Sequence, residues 1–244
     1  MDLKSNQILV TGGASGIGLA LAARFLREGS QVIVCGRRAD KLQEAAKLYP
    51  GLITHQADVA TAKQREELFT WAKNHYPDLN MLVNNAGIQR RINLHEPLDW
   101  SKAGEEIAIN LDAPIHLASL FVPFLRQQKN PAIMNVTSGL SFVPLASVPI
   151  YCATKAALHS FTLSLRHQLA KTPVKVVEII PPAVNTDLGG VGLHTFGVDV
   201  NEFADEIIAK IKEGKLEVSF GTAEQRRQSS RAELDEYFQK MNPT

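Results

Sequence analysis

Short, mostly uninterrupted apolar runs rich in β-branched residues recur along the 244-residue chain at 8–10, 32–34, 81–83, 133–136 and 174–180. Runs of that length without polar alternation fit strands buried on both faces. Longer stretches with helical periodicity separate them, such as Leu19, Ala22, Ala23 and Leu26 before Gly29, or Leu68, Trp71 and Ala72 before Pro77. Regular alternation of buried strand and helix leaves few solutions, and the one it favours is an α/β, doubly wound parallel sheet with helices on both faces. In such sheets ligands sit beyond the carboxyl ends of the strands. No repeat, low-complexity tract or Pro/Gly linker divides the chain, and its length closes one core, so a single domain over 1–244 is expected. A further short strand is expected at 216–220. Four glycines and lost periodicity mark a loop at about 187–200, and Ser230 with Glu233 forms a capping-box signature for a helix at about 231–241.

Charge and composition narrow the partners. Lys and Arg number 26 against 25 Asp and Glu, a net charge of +1, so no bulk basic field favours nucleic acid or an anionic membrane. A small molecule is the better ligand. No apolar stretch approaches the roughly 18 uninterrupted residues of a membrane-spanning helix. The two cysteines, Cys35 and Cys152, are too few to staple this chain, and no secretory leader opens it, which fits a cytoplasmic protein. Seven histidines and two cysteines fall into no metal-ligand spacing, so no metal is predicted. Cys152 reads as a buried structural thiol. Arg90 and Arg91 read as a solvated loop pair.

The first apolar run leads directly into Thr11-Gly12-Gly13-Ala14-Ser15-Gly16-Ile17-Gly18, with a helix beginning near Ile17. Glycines let the backbone turn sharply and approach a pyrophosphate, while unpaired N–H groups at the helix start favour the anion. A dinucleotide is the natural ligand, and a tight glycine turn that binds nothing is the competing account. No Lys-Ser/Thr follows the last glycine, which disfavours a nucleoside triphosphate loop.

Tyr151 and Lys155 stand four residues apart in a segment of helical spacing from Pro149 to Leu169, so both side chains share one face. A cation beside a phenol favours the phenolate, and the lysine is expected to lower the tyrosine pKa. Ser138 follows the 133–136 run, 13 residues before the tyrosine, and its hydroxyl can hold a carbonyl oxygen. Alone, Tyr-xxx-Lys also describes a surface pair with the lysine stem lying on the ring. Its coincidence with the glycine turn, Ser138 and Asn84-Asn85-Ala86-Gly87 after the 81–83 run is what gives it weight. Ser138 lacks a GxSxG elbow, which weakens a hydrolase reading.

Together these motifs resemble the short-chain dehydrogenase/reductase family from the first strand to about Thr186. The resemblance implies a Rossmann-like fold and an oxidoreductase that moves a hydride between a nicotinamide and a carbonyl or alcohol. It implies Tyr151 as acid/base, Lys155 as its modulator and a ribose contact, Ser138 orienting substrate and Asn110 supporting a proton relay. A helix asparagine satisfied locally is the other account of Asn110. The resemblance places Thr11, Gly12, Ser15, Gly16, Ile17 and Gly18 on the cofactor's phosphates, and Asn85, Ala86 and Gly87 against its adenosine half. Asp58 and Val59 fall near the adenine, with Asp58 equally readable as a loop cap, and Val184 and Thr186 near the nicotinamide. Pro182 stands where relatives usually carry glycine, so the path into the following loop can differ. The ending Glu217-Val218-Ser219-Phe220-Gly221 resembles a branch labelled DltE-like oxidoreductase, a label that names no substrate. Packing of the helices at about 103–127 and 151–169 against a second subunit is implied as well, giving a homodimer or homotetramer.

An NAD site normally offers an acid to the ribose at the end of the second strand, whereas a 2′-phosphate needs a cation. Here the chain reads Cys35-Gly36-Arg37-Arg38, so NADP(H) is expected through Arg37, with NAD(H) as the alternative. The alternative from another class is a catalytically silent dinucleotide-binding regulator or scaffold.

Overall fold

The computed structural model describes residues 1–243; Thr244, the last residue of the expected domain, lies outside them. Among these residues seven strands form one sheet: β1 (Gln7–Thr11), β2 (Gln31–Gly36), β3 (Ile53–Gln56), β4 (Met81–Asn84), β5 (Ala132–Val136), β6 (Lys175–Ile180) and β7 (Glu217–Ser219). Their order is β3-β2-β1-β4-β5-β6-β7, and every neighbouring pair is parallel. The chain runs outward through β2 and β3, then returns to place β4 on the other side of β1. That reversal opens a crevice at the carboxyl ends of β1 and β4.

The inner strands are largely apolar because each serves two cores. Ile8 and Val10 of β1 face a cluster containing Phe25 and Phe203, while Leu9 between them faces one containing Leu68 and Phe121. Helices α1 (Gly16–Arg27), α2 (Ala39–Leu48) and α7 (Val200–Lys212) contribute to the first cluster. Helices α3 (Ala62–His75), α5 (Ala113–Leu125) and α6 (Pro149–Gln168) contribute to the second. Buried Arg24 locks α1 to α7 through Asp205 at 2.9 Å and Asn201.

Helix α4 (Trp100–Ile107) runs into α5 through a π-helical turn, Ala108–Asp112. The resulting helix, Trp100–Leu125, has 26 residues and is long and apolar enough, by length and composition, to cross a bilayer. The expectation that no such segment exists counted only uninterrupted apolar runs. In this fold its Leu117, Phe121 and Leu125 are buried against the sheet. Helices α8 (Thr222–Gln228) and α9 (Arg231–Met241) close the chain, the latter started by the expected capping box at Ser230 and Glu233. The sequence pattern did not announce β3 or α8. Strand β3 lies at the sheet edge, half exposed, and its His55 is stacked 3.8 Å from Trp71 instead of joining an apolar core.

Candidate active site

The glycine turn joins β1 to α1 at the crevice. Gly12 and Gly16 adopt φ of +64° and +54°, which side-chain-bearing residues rarely take. A Cβ on Gly13 would fall 2.6 Å from Val34, and one on Gly18 would fall 2.3 Å from the Asn85 amide nitrogen. Ser15 occupies the N-cap of α1, yet its side chain caps nothing, so the first N–H groups of the helix remain available to an anion. These features fit a pyrophosphate.

Across the crevice Thr11 and Asn85 tie the turn to β4. The Thr11 hydroxyl donates to the Val83 carbonyl and accepts from the Asn85 and Ala86 backbone, while the Asn85 amide donates to the Thr11 and Gly12 carbonyls. Both side chains therefore build the cradle from behind. Asp58 caps its own loop by accepting from Ala60 N at 3.0 Å, and Val59 is buried in the core. Thr186 lies against the turn, its Cγ2 3.5 Å from where a Gly16 Cβ would sit, and Val184 pairs with Val198 to close the base of the 187–197 loop. Pro182 sits in that entry segment, which is held between Pro181, accepting from Gly139 N, and the Val198 contacts of Ala183 and Asn185.

At the end of β2, Arg37 pairs with Glu105 at 2.7 Å, and Glu105 also holds Arg90. Arg90 is thus held in a half-buried ion pair, while its neighbour Arg91 is exposed as a solvated loop arginine. Arg38 turns over the glycine turn and donates to Ser15 Oγ at 3.4 Å. The sequence reading gave Arg38 no role.

Tyr151 and Lys155 lie on one face of α6 as the four-residue spacing requires, both buried, with the ammonium 5.7 Å from the ring centre. Ser138 caps the 3-10 turn Gly139–Ser141 after β5 and is also buried. Lys155 Nζ donates to the Val136 carbonyl at 2.8 Å. Burial pushes the Tyr151 phenol well above its usual value, and a hydrogen bond with Ser138 offsets part of the rise. Burial pulls Lys155 down to about 8. The expectation that Lys155 lowers the tyrosine is therefore corrected for this structure. Desolvation of the phenolate outweighs a cation whose own charge burial weakens.

Asn110 sits in the π-turn, and its side chain is occupied. Its amide oxygen accepts from Ile88 N at 2.9 Å, and its nitrogen donates to Ile88 O at 2.8 Å and to Thr154 Oγ1 at 3.3 Å. It fixes the loop after β4 to α6. Cys152 is buried, its sulfur accepting from Leu145 N at 3.2 Å, and burial raises its thiol, consistent with a structural role.

One titratable group near these residues escaped the sequence reading. Glu106 is fully buried on α4, and neither carboxylate oxygen has a hydrogen-bond partner among the described residues. Burial pushes it up to about 7, opposed by the positive charge of Arg90. Its negative charge in turn acts to raise Tyr151 and Cys152. An unfolded glutamate loses its proton near 4.5, so between there and about 7 the unfolded chain ionises while the folded one does not. Stability drains as pH rises through that window, by up to about 3 kcal/mol. Glu106→Gln should leave the melting temperature unchanged at pH 4 and raise it by several degrees at pH 8, where the drain is complete. Equal melting shifts at both pH values would contradict the assignment.

Comparison with known proteins decides the family. The short chain dehydrogenase family profile matches residues 6–192. The chain belongs to that family. An uncharacterised oxidoreductase of Bacillus subtilis, DltE, is 47% identical over 99% of this chain and 98% of its own length. An uncharacterised oxidoreductase of Staphylococcus epidermidis is 30% identical over 82% of this chain and 84% of its own. Among solved structures, a short chain dehydrogenase of Burkholderia cenocepacia in complex with NADP is 27% identical with a TM-score of 0.85, covering 98% of this chain and 99% of that one. A short-chain dehydrogenase of Sphingobium yanoikuyae in complex with NADPH, 23% identical with a TM-score of 0.80 over 95% of this chain and 92% of that one, shares the fold. The family and the DltE likeness agree with the sequence reading.

Proposed function

We propose that this short-chain dehydrogenase is an NADP(H)-dependent oxidoreductase that interconverts a carbonyl compound and its alcohol, with Tyr151 as the acid/base. The observation that carries this is the burial of Ser138, Tyr151 and Lys155 together, beside the glycine crevice at the strand ends. When bound, the nicotinamide supplies or accepts a hydride. The chain's part is the proton and the geometry. A phenol held above its usual pKa is protonated at neutral pH, the state from which it can give its proton to a substrate oxygen. Ser138 Oγ holds that oxygen in place. Lys155 stands next to Gly87, where a Cβ would lie 3.6 Å from the ammonium, so the lysine is within reach of a ribose held at the end of β4. Asn110 positions α6 and the loop after β4.

The glycine turn takes the pyrophosphate, with Asn85, Ala86, Gly87, Asp58 and Val59 toward the adenosine and Val184 and Thr186 toward the nicotinamide. Preference for the 2′-phosphate rests on Gly36 standing where an acid would repel it, and on Arg37 and Arg38. Among the described residues Arg38 has no carboxylate partner and is free to meet a 2′-phosphate, while Arg37 shares its Glu105 with Arg90 and so keeps charge to offer. The NADP complex of the Burkholderia relative supports this reading. Fluorescence titration should show NADPH binding at least about tenfold tighter than NADH. Arg37→Ala and Arg38→Ala should each cost about 10- to 100-fold for NADPH, the worth of a charged hydrogen bond, and little for NADH. Tighter binding of NADH would overturn the assignment. Binding without turnover on a panel of aldehydes, ketones and quinones would point to a silent regulator.

The partner is a small molecule, neither nucleic acid nor membrane. A cytoplasmic setting is supported by the free, buried thiols Cys35 and Cys152. A homodimer or homotetramer through α5 and α6 is supported by the apolar side chains they expose, Ile115 and Leu163.

A further inference from the structure

Six arginines are buried or half-buried: Arg24, Arg65, Arg90, Arg166, Arg226 and Arg227. Five are hydrogen-bonded through their guanidinium groups. Arg227, for instance, reaches Ser219, Glu217 and Glu224. Arg226, its neighbour on α8, has neither an ion pair nor a side-chain hydrogen bond among the described residues. A half-buried guanidinium whose donors no protein group takes up can offer its planar fork to an anion.

Its location gives that anion a context. Arg226 Nη1 lies 3.5 Å from where a Gly139 Cβ would be, and Gly139 directly follows Ser138. A Cβ there would also come within 3.2 Å of Ala223, so glycine lets α8 settle on the turn that carries the serine. Adding the ~3.8 Å between successive Cα atoms, the guanidinium stands within about 9 Å of the Ser138 Cα. Ser141, on the same turn, has a fully buried hydroxyl with no partner. Helix α9 is fixed to the segment before α6, where Asn242 accepts from Ala146 N at 2.6 Å and donates to Pro144 O at 3.1 Å.

We propose that Arg226 is the anion-recognising side chain of the substrate pocket, so that the substrate carries a carboxylate or phosphate a few bonds from its reacting carbonyl. The proposal rests on the Ser138–Tyr151 site assigned above and names the substrate class for it. A planar fork of donors suits both anions, and a lysine would serve less well.

The test is a binding measurement, independent of turnover. The protein, with and without saturating NADP⁺, is titrated calorimetrically with oxo-carboxylates of three to six carbons, their methyl esters, and ketone phosphomonoesters of matching length. At least one anionic probe should bind ten times or more tightly than its neutral counterpart, and the better of the two anion series identifies the group. Arg226→Gln should abolish that difference while leaving NADPH affinity as it was, and Arg226→Lys should restore part of it. Anionic probes that bind no better than esters, or a difference that survives in Arg226→Gln, would overturn the proposal. Loss of NADPH binding in the wild type would instead strike the oxidoreductase reading.

Discussion

Tyr151→Phe should lower kcat/KM for carbonyl reduction by about 10²- to 10⁴-fold, the range that acid/base catalysis supplies, while the Kd for NADPH stays within about twofold. The substitution removes one oxygen and with it the phenol's hydrogen bond with Ser138. The ring remains packed with Val148 and Cys152 in the small cluster under the 3-10 turn, so the fold has no cavity to repair. Ser138 and Lys155 keep their own hydrogen bonds to Leu140 N and Val136 O, neither of which involves the phenol. Turnover and cofactor titration on the same preparation separate the outcomes. Activity within a few-fold of wild type would remove Tyr151 as the proton donor, and a parallel loss of cofactor affinity would assign it a binding role instead.

Gly18→Ala should have the largest effect on folding and cofactor binding together. Its Cβ would fall 2.3 Å from the Asn85 amide and 2.5 Å from the Gly12 carbonyl, inside the contact that closes the crevice. The Asn85 nitrogen cannot retreat without losing its bonds to the Thr11 and Gly12 carbonyls. Overpacking costs about 1–3 kcal/mol, and the two strained hydrogen bonds add about 1 kcal/mol each. A drop of several degrees in melting temperature and at least a tenfold loss of NADPH affinity are expected. Gly104→Ala is the matched control: among the described residues nothing beyond the backbone of its own helix turn and its chain neighbours lies within 4 Å of its Cβ position in α4, and alanine there should stabilise the helix by up to about 1 kcal/mol. Wild-type melting and binding in Gly18→Ala would show that the turn is looser than its geometry.

What the chain announces in advance depends on how local the cause is. The inner strands are legible because burial on both faces demands continuous runs such as Ile8 to Val10. The glycine turn is legible because backbone conformation and close approach leave no other residue at Gly12 or Gly18. Strand β3 is not, since an edge strand with His55 stacked on Trp71 shows no apolar run. That Tyr151 and Lys155 share one helix face follows from their spacing, and their part in a site follows from the motifs that accompany them. Their protonation does not, because desolvation is set by everything packed around them. Glu106 and Arg226 stay hidden for the same reason: nothing in their neighbours along the chain distinguishes a stranded buried carboxyl or an unpaired guanidinium from an ordinary helix charge. Arg38 and Arg37 differ only in which of them Glu105, 68 residues away from Arg37, happens to engage.

The π-helical turn at Ala108–Asp112 amounts to one residue more than the α-helical repeat needs. Each residue of a helix advances the face by about 100°. The extra one therefore sets the two ends of Trp100–Leu125 out of phase, like a shaft with two cams keyed at different angles. Before the turn the helix addresses the Tyr151 neighbourhood with Glu106; after it, Leu117 and Phe121 address the sheet. Restoring an unbroken α-helical register there would keep a sound helix and a sound core, yet swing Asn110 away from Ile88 and Thr154. Reading this segment by periodicity across the turn mixes two faces, and any transfer of residue roles between relatives has to count from Asn110 separately in each direction.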